Sequence, residues 1–415
     1  MTGWSETELL IRDSIREWVD KEVRPHTDEL ESGEVPPYEI IRKLWADFGV
    51  GAMASEALEK LLDKQERRAK GEPRGGTSGG SPLAGQEGLP LVIASELSGV
   101  SLGLLVSIGV SLGLTAQTIL SKGTLEQKRR WLPRLATFDD IGAWAITEPD
   151  SGSDAFGGMK TTVRRDGDGY VLNGQKTFIT NGPFADVIVV FAKLDTGDGA
   201  PVRDRPVLTF VLEKDDPGLV RGKPFKKMGI MSSPTGELFF DNVRLGKDRL
   251  LGGTEPEAGG ADAKDEVKSG FTLERVGVGA LALGIINECH RLSLEYAKTR
   301  TSWGQEIGRY QLIQLKLAKM EIARINVENM VLSAVENMRA GTTPSLAAAS
   351  AIKLYSSEAA TEVAMEAVQL FGGNGYMSEY RVEQLARDAK SLMIYAGSNE
   401  IQVTHIAKGL LGSAR

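Results

Sequence analysis

Residues 170–180 read YVLNGQKTFIT, and the stretches 186–194, 206–214 and 236–245 follow as DVIVVFAKL, PVLTFVLEK and GELFFDNVRL. Each is a short run of β-branched and aromatic residues, separated from the next by Gly, Asp, Asn or Pro. That texture predicts strands joined by turns. On either side it changes. Upstream, Leu9, Leu10, Ile15, Trp18 and Val19 recur at helical spacing, and YEIIRKLWADFGVG (38–51) repeats the behaviour up to a glycine stop. Downstream of about residue 267, long apolar periodic runs continue to the end. Helices, then strands, then helices predict an α+β fold with an antiparallel sheet region, not an alternating parallel-sheet fold. The expected divisions are a helical domain over 1–140, a middle β-domain over 141–252, a Gly/Glu/Asp-rich linker over 253–266 and a helical bundle over 267–415. Inside the first, residues 59–88 start as a charged helix and continue as a Gly/Ser/Pro-rich, mobile loop.

At 415 residues the chain can bury a large core. Its formal net charge of −7 and lack of a basic block argue against nucleic-acid binding. The lone Cys289 excludes an intramolecular disulfide framework and fits a reducing, cytoplasmic setting. Its apolar helical neighbours predict a buried thiol, not a nucleophile. The N-terminus is acidic and amphipathic, unlike a secretory signal. No apolar run is expected to span a bilayer: residues 91–120 come nearest, and their Ser, Gly and Glu96 favour a buried helix or helix pair.

Several motif matches fail on context. GTSGG (76–80) fits G-x-S-x-G but lacks the preceding strand that a nucleophile elbow needs. GVGAMA (49–54) follows a helix, not the strand required by a dinucleotide fingerprint. His26, His290 and His405 are far apart and accompany a single cysteine, which argues against a His/Cys metal site. AWAITEPDSGSD (143–154) and NGQKTFITNG (173–182) are more informative, although turn chemistry alone could account for either. In FTLERVGVGALALG (271–284), Glu274 and Arg275 sit near the expected start of a helix that is apolar nearly all round. Buried charges require a partner or a function. Glu274 reads either as a first-turn acid favoured by the helix dipole or as a reactive carboxylate.

Seven segments, in order, carry a resemblance: AITEPDSGSD, NGQKTFITNG, KMGIMSSPTGELFFDNVRL, LERVGVGALALG, YAKTRTSWGQEIGRYQ, QLFGGNGYMSEY and RDAKSLMIYAGSNEIQ. Together the sequence resembles the acyl-CoA dehydrogenase flavoproteins over nearly its whole length, apart from the segments around 60–88 and 252–266. The resemblance implies that the C-terminal helices form a four-helix bundle and that FAD lies between them and the β-domain, in a homotetramer. It places Trp144, Ile146, Thr147 and Ser153 along the flavin and thioester region, Phe178 near the flavin rings and Thr180 near their reactive edge. Arg300, Ser302 and Trp303, with Gln369, Gly372 and Gly373, match segments that hold the FAD of a neighbouring subunit. Ser398 and Glu400 fall on the flavin side. Ser153, Arg275, Tyr395 and Gly397 border the acyl-CoA substrate.

The implied reaction is α,β-dehydrogenation of an acyl-CoA thioester: a carboxylate takes the α-proton, hydride passes to flavin N5, and an electron-transfer flavoprotein reoxidises the enzyme. Many relatives carry the base directly after the tyrosine, where this sequence has Ala396. The alanine retains the backbone N–H that the family uses to bind the thioester oxygen. Glu274 matches the inner-helix base of the isovaleryl-CoA and long-chain branch. Met231 and Thr272 depart from the common arginine and aspartate. Other readings on the same fold are an acyl-ACP dehydrogenase, a flavin monooxygenase or oxidase, and a non-catalytic subunit of a hetero-oligomer.

Overall fold

The structure is a computed structural model that describes residues 3–70, 87–255 and 263–412. The Gly/Ser/Pro-rich loop expected within 59–88, and the GTSGG match inside it, lie largely outside the described residues. The N-terminal part comprises α1 (Glu6–Glu22), α2 (Thr27–Ser32), α3 (Tyr38–Asp47), α4 (Val50–Ala69), α5 (Leu89–Ser98), α6 (Leu102–Ile108), a π-helical stretch (Gly109–Ala116), α7 (Gln117–Lys122) and α8 (Leu125–Ala136). A capping box starts α1: the Glu8 N–H donates to Ser5 Oγ at 3.2 Å, and the Ser5 N–H donates to the Glu8 carboxylate at 2.7 Å. Of the predicted apolar stripe, Ile15, Trp18 and Val19 are buried, whereas Leu10 stays exposed. The charged start of the 59–88 segment is helical, as expected, and closes α4. GVGAMA opens α4 directly after α3, with Gly49 left-handed at the junction.

The segment from Leu102 to Lys122 is one continuous 21-residue helix, long and apolar enough to cross a membrane by length and composition. This corrects the expectation that no run is long enough: Glu96, counted within 91–120, belongs to the preceding helix α5, and the apolar helix starts past it at Leu102. Ser107, Ser111, Thr115 and Ile119 form its buried face. The Gly142 N–H donates to Ser111 Oγ at 2.9 Å, tying that face to the first strand.

The middle part contains β1 (Gly142–Ala145), a short α9 (Ala155–Gly158), β2 (Thr162–Asp166), β3 (Gly169–Thr180), β4 (Val187–Asp195), β5 (Val207–Glu213), β6 (Leu219–Arg221) and β7 (Thr235–Leu245). They make one seven-stranded sheet in the order β1-β4-β2-β3-β7-β6, with β5 on the other edge of β4. The sheet is mixed and not purely antiparallel: β1 and β2 both run parallel to β4, because each reaches it by a crossover. The apolar run of β4 is buried on both faces. Ile188, Val190 and Ala192 join one core, while Val187, Val189 and Phe191 pack with Trp131, Leu132 and Leu135 of α8. Each such Val or Ile contributes roughly 1.5–3 kcal/mol of burial.

The C-terminal part is helical: α10 (Ala263–Thr299), a hairpin of β8 (Thr301–Ser302) and β9 (Gln305–Glu306), α11 (Gln311–Arg339), α12 (Leu346–Phe371), α13 (Val382–Ser391) and α14 (Asn399–Leu411). Helix α10 begins inside the segment expected as a linker. Glu274 therefore lies roughly three turns into the helix and is not a first-turn acid. The dipole explanation for Glu274 falls with that placement, since the effect fades beyond the first turn. Cys289 is buried in the core of this part, and burial raises its thiol pKa.

Two junctions are among the contacts that fix the parts to one another. Helices α5 and α10 cross closely at Gly284, where an added Cβ would lie 2.1 Å from Ser95 O, and Ser98 Oγ donates to Leu281 O at 3.0 Å. At the second, Gln384 Nε2 on α13 donates to Glu31 of α2 at 3.2 Å and to Asp388 at 3.1 Å. Asp388 also accepts the N–H of Ile230, in the segment leading to β7. Ile230 has a φ of +46°, strained for a β-branched residue. Burial, with Asp388 beside it, pushes the Glu31 carboxyl up to about 7.

Candidate active site

Glu274 projects from the inner stretch of α10, among residues of α12 and the loop before α14. Part of its side chain reaches the surface, yet the protein around its carboxyl raises the pKa to about 7. Desolvation dominates, and Arg275 and Lys353 offset it only in part. Arg275 is buried, and its Nη1 donates to Ser350 Oγ at 3.3 Å. Lys353, fully buried on α12, donates to Asn399 Oδ1 at 2.8 Å; Ser357 Oγ donates to the same oxygen at 3.2 Å. Burial first, then the nearby Arg275, pulls Lys353 down to about 8.

The loop 395–398 closes the other side. Burial raises the Tyr395 hydroxyl, and the charges of Asp388 and Glu274 add to the effect. Ala396 and Gly397 have φ of +55° and +79°. At Gly397 a Cβ would lie 2.8 Å from Gln402 Nε2 and 3.7 Å from Arg275 Nη2, so this turn sits directly over both side chains. Gln402 Nε2 donates to the carbonyls of Ala396 (3.1 Å) and Gly397 (2.7 Å). Among the described residues no acceptor takes the Ala396 N–H. The structure thus brings Glu274, Arg275, Tyr395, Ala396 and Gly397 together. Ser398 is the N-cap of α14 without a side-chain capping bond, and Glu400 is exposed, its pKa lowered by backbone and Ser398 hydrogen bonds.

The residues expected beside a flavin lie on β1 (Trp144), in the segment after it (Ile146, Thr147, Ser153) and on β3 (Phe178, Thr180). Trp144 Nε1 donates to Thr118 Oγ1 at 3.2 Å, and its ring meets Phe191 edge-on at 4.9 Å. Ile146 is buried; its carbonyl accepts Lys176 Nζ at 3.0 Å, and the Thr147 carbonyl accepts the Thr177 N–H at 2.9 Å. Lys176 also pairs with Glu148 at 2.8 Å, both buried. Phe178 sits where the β3–β7 register slips, with φ +57° and its ring 66% exposed. The bulge turns an aromatic outward where simple alternation would not place it. Thr180 is half-buried opposite Thr235, and Ser153 is exposed. Turn chemistry is present here too: Ser151 Oγ donates to Asp154 O at 2.7 Å, and the Glu148 carboxylate accepts the N–H groups of Lys160 and Thr161.

The remaining set does not converge on Glu274 within one chain. Arg300 follows the end of α10, about 25 residues and so roughly 38 Å along the axis from Glu274. Trp303 and Gly304 form the tip of the β8–β9 hairpin with φ of +52° and +79°, and Trp303 is 95% exposed. Ser302 O accepts the Tyr310 hydroxyl at 2.8 Å. Gln369, Gly372 and Gly373 are exposed at the end of α12, and a Cβ at either glycine would meet nothing within 4 Å.

The sequence reading missed Gln402, Lys353 and Asn399. Lys353, a single cation among the small residues of ASAIKLYSSEAA (349–360), carried the signal of a buried charge. For Gln402 no local signal existed, because its role depends on a turn conformation.

Three family models match the chain: the acyl-CoA dehydrogenase N-terminal domain over residues 79–139, the middle domain over 143–243 and the C-terminal domain over 265–411. An acyl-CoA dehydrogenase of Bacillus subtilis is 34% identical over 411 residues, covering 98% of this chain and 99% of the relative. The solved butyryl-CoA dehydrogenase of Megasphaera elsdenii superposes with a TM-score of 0.82 at 30% identity, covering 99% of each chain. A glutaryl-CoA dehydrogenase of Mycobacterium smegmatis, solved with FADH2, gives a TM-score of 0.83 at 27% identity, covering 99% of this chain and 96% of that one.

Proposed function

The chain belongs to the acyl-CoA dehydrogenase family of FAD-dependent enzymes, and from that premise we propose that Glu274 takes the α-proton of its acyl-CoA substrate while the Ala396 N–H binds the thioester oxygen. The observation that carries the reading is the pairing of a desolvated carboxyl with an amide donor that no acceptor takes among the described residues.

An α-proton next to a thioester is weakly acidic. Its removal needs a base whose proton affinity is raised and a donor aimed at the oxygen where enolate charge gathers. Burial gives Glu274 the first property. The turn at Ala396 offers the second. The α-C–H bond breaks toward Glu274, the β-hydrogen leaves with its electron pair, and the α,β double bond forms. FAD, when bound, supplies the acceptor for that hydride.

The residues suit this cofactor. Phe178 presents an exposed ring on a bulge, and Trp303 an exposed indole on a strained hairpin tip. At Gly372 and Gly373 an added Cβ would meet nothing within 4 Å among the described residues, which leaves open space there. Phe178 and Thr180, with Trp144, Ile146, Thr147 and Ser153, would hold the flavin end. Arg300, Ser302, Trp303, Gln369, Gly372 and Gly373 would hold the pyrophosphate and adenine end of the FAD in a neighbouring subunit, where Arg300 can neutralise phosphate charge. The roughly 38 Å between Arg300 and Glu274 supports a site shared between subunits of a homotetramer. An electron-transfer flavoprotein would take up the electrons.

The test is Glu274→Gln. The variant should retain FAD and lose at least about a thousandfold in anaerobic flavin bleaching by acyl-CoA. Bleaching at the wild-type rate would remove Glu274 from the role. A panel of straight, branched and aromatic acyl-CoAs, repeated with acyl-ACP, identifies the substrate and its carrier.

A further inference from the structure

We propose that Gln402 is a positioning residue that aims the Ala396 N–H at the thioester oxygen; this rests on the reading of Ala396 given above. Gln402 is fully buried in the first turn of α14, and its amide donates to two successive carbonyls, those of Ala396 and Gly397. Both residues have positive φ. In the left-handed conformation the N–H and C=O of one residue point in roughly opposite directions, as they do in its right-handed mirror image. Holding the Ala396 carbonyl against Gln402 therefore turns its N–H to the far side of the loop. The Gly397 N–H, trans to the Ala396 carbonyl across a planar peptide, is turned away as well.

The left-handed conformation is sterically disfavoured for a non-glycine residue, so Ala396 needs external support to hold it. Gln402 supplies that support from a fixed base. Asn399, three residues earlier on α14, is tied to Lys353 at 2.8 Å and to Ser357 at 3.2 Å, both on α12. The Asn399 N–H donates to Met393 O at 3.1 Å, closing the loop on itself. Helix α12 thereby anchors α14, and α14 orients the turn.

Gln402→Met retains the side-chain length and removes the donor; Gln402→Glu retains the length and faces the two carbonyls with an acceptor. The readout is enolate formation by a non-oxidisable 3-thia-acyl-CoA bound to the holoenzyme, followed by absorbance. The control is binding of the matching S-alkyl-CoA thioether, which has no carbonyl oxygen. Both variants should lose about ten- to hundredfold in enolate formation, with thioether binding within twofold of wild type. A purely space-filling role makes Gln402→Met behave as wild type in both assays, and that result overturns the proposal. So does an equal loss of thioether binding, or failure of both variants to assemble as holoenzyme, since either assigns Gln402 to stability. Glu274→Gln in the same assay separates the two readings. If it still enolises the analogue, the base assignment fails; if it does not and Gln402→Met is normal, only the role of Gln402 fails.

Discussion

Glu274 carries opposite demands on one carboxyl. Its raised value of about 7 means that the base form dominates only above neutrality, so kcat/KM should climb with pH up to about 7 and level off beyond it. The same shift affects folding. The folded-state pKa lies above the ordinary carboxylate value, so the native state holds a proton that the unfolded chain has released. The stability contributed by Glu274 is therefore present at low pH and lost as pH rises from about 4.5 through 7. Glu274→Gln removes that slope: its melting temperature should vary less between pH 5 and 8 than that of wild type, and an unchanged slope would show that Glu274 does not titrate near neutrality. The carboxylate itself was legible, because a Glu-Arg pair inside an apolar helical run is conspicuous. The neighbours that tune it were not. Lys353 and Asn399 are 46 residues apart in sequence and meet only through the packing of two helices.

Among the elements, the strands and helices followed from texture, since alternation and helical periodicity are local properties. The parallel pairing of β1 and β2 with β4 did not, because crossovers are a matter of topology. Nor did the bulge at Phe178, which comes from a register slip between β3 and β7 that neither strand encodes alone. The crossing of α5 and α10 is similar: Gly284 reads as one of several glycines in a helix, yet the approach of Ser95 and Ser98 leaves it no room for a methyl group. Gly284→Ala should separate the two helices and destabilise the fold by about 1–3 kcal/mol, visible as a lowered melting temperature. An unchanged value would mean that the crossing relaxes freely.

At the scale of the molecule, the Glu31–Gln384–Asp388 cluster joins the N-terminal, middle and C-terminal parts at one point. Two carboxyls with raised pKa values share it. As pH rises from about 4.5 through 7, Glu31 ionises against Asp388 and this junction weakens. Hydrogen exchange over residues 227–235, corrected for intrinsic rates, should therefore speed up with pH through that window, and Glu31→Gln should blunt the change. Equal exchange in both proteins would detach Ile230 from this cluster. The hairpin tip has a different consequence. Of six tryptophans, five are buried or half-buried, and Trp303 alone stands almost wholly in solvent on a two-residue turn. Its indole emits from a watery setting in the lone chain, and any surface that closes over the hairpin changes the colour of that light. The chain thus carries its own optical label, placed at the tip where the proposed subunit contact would form.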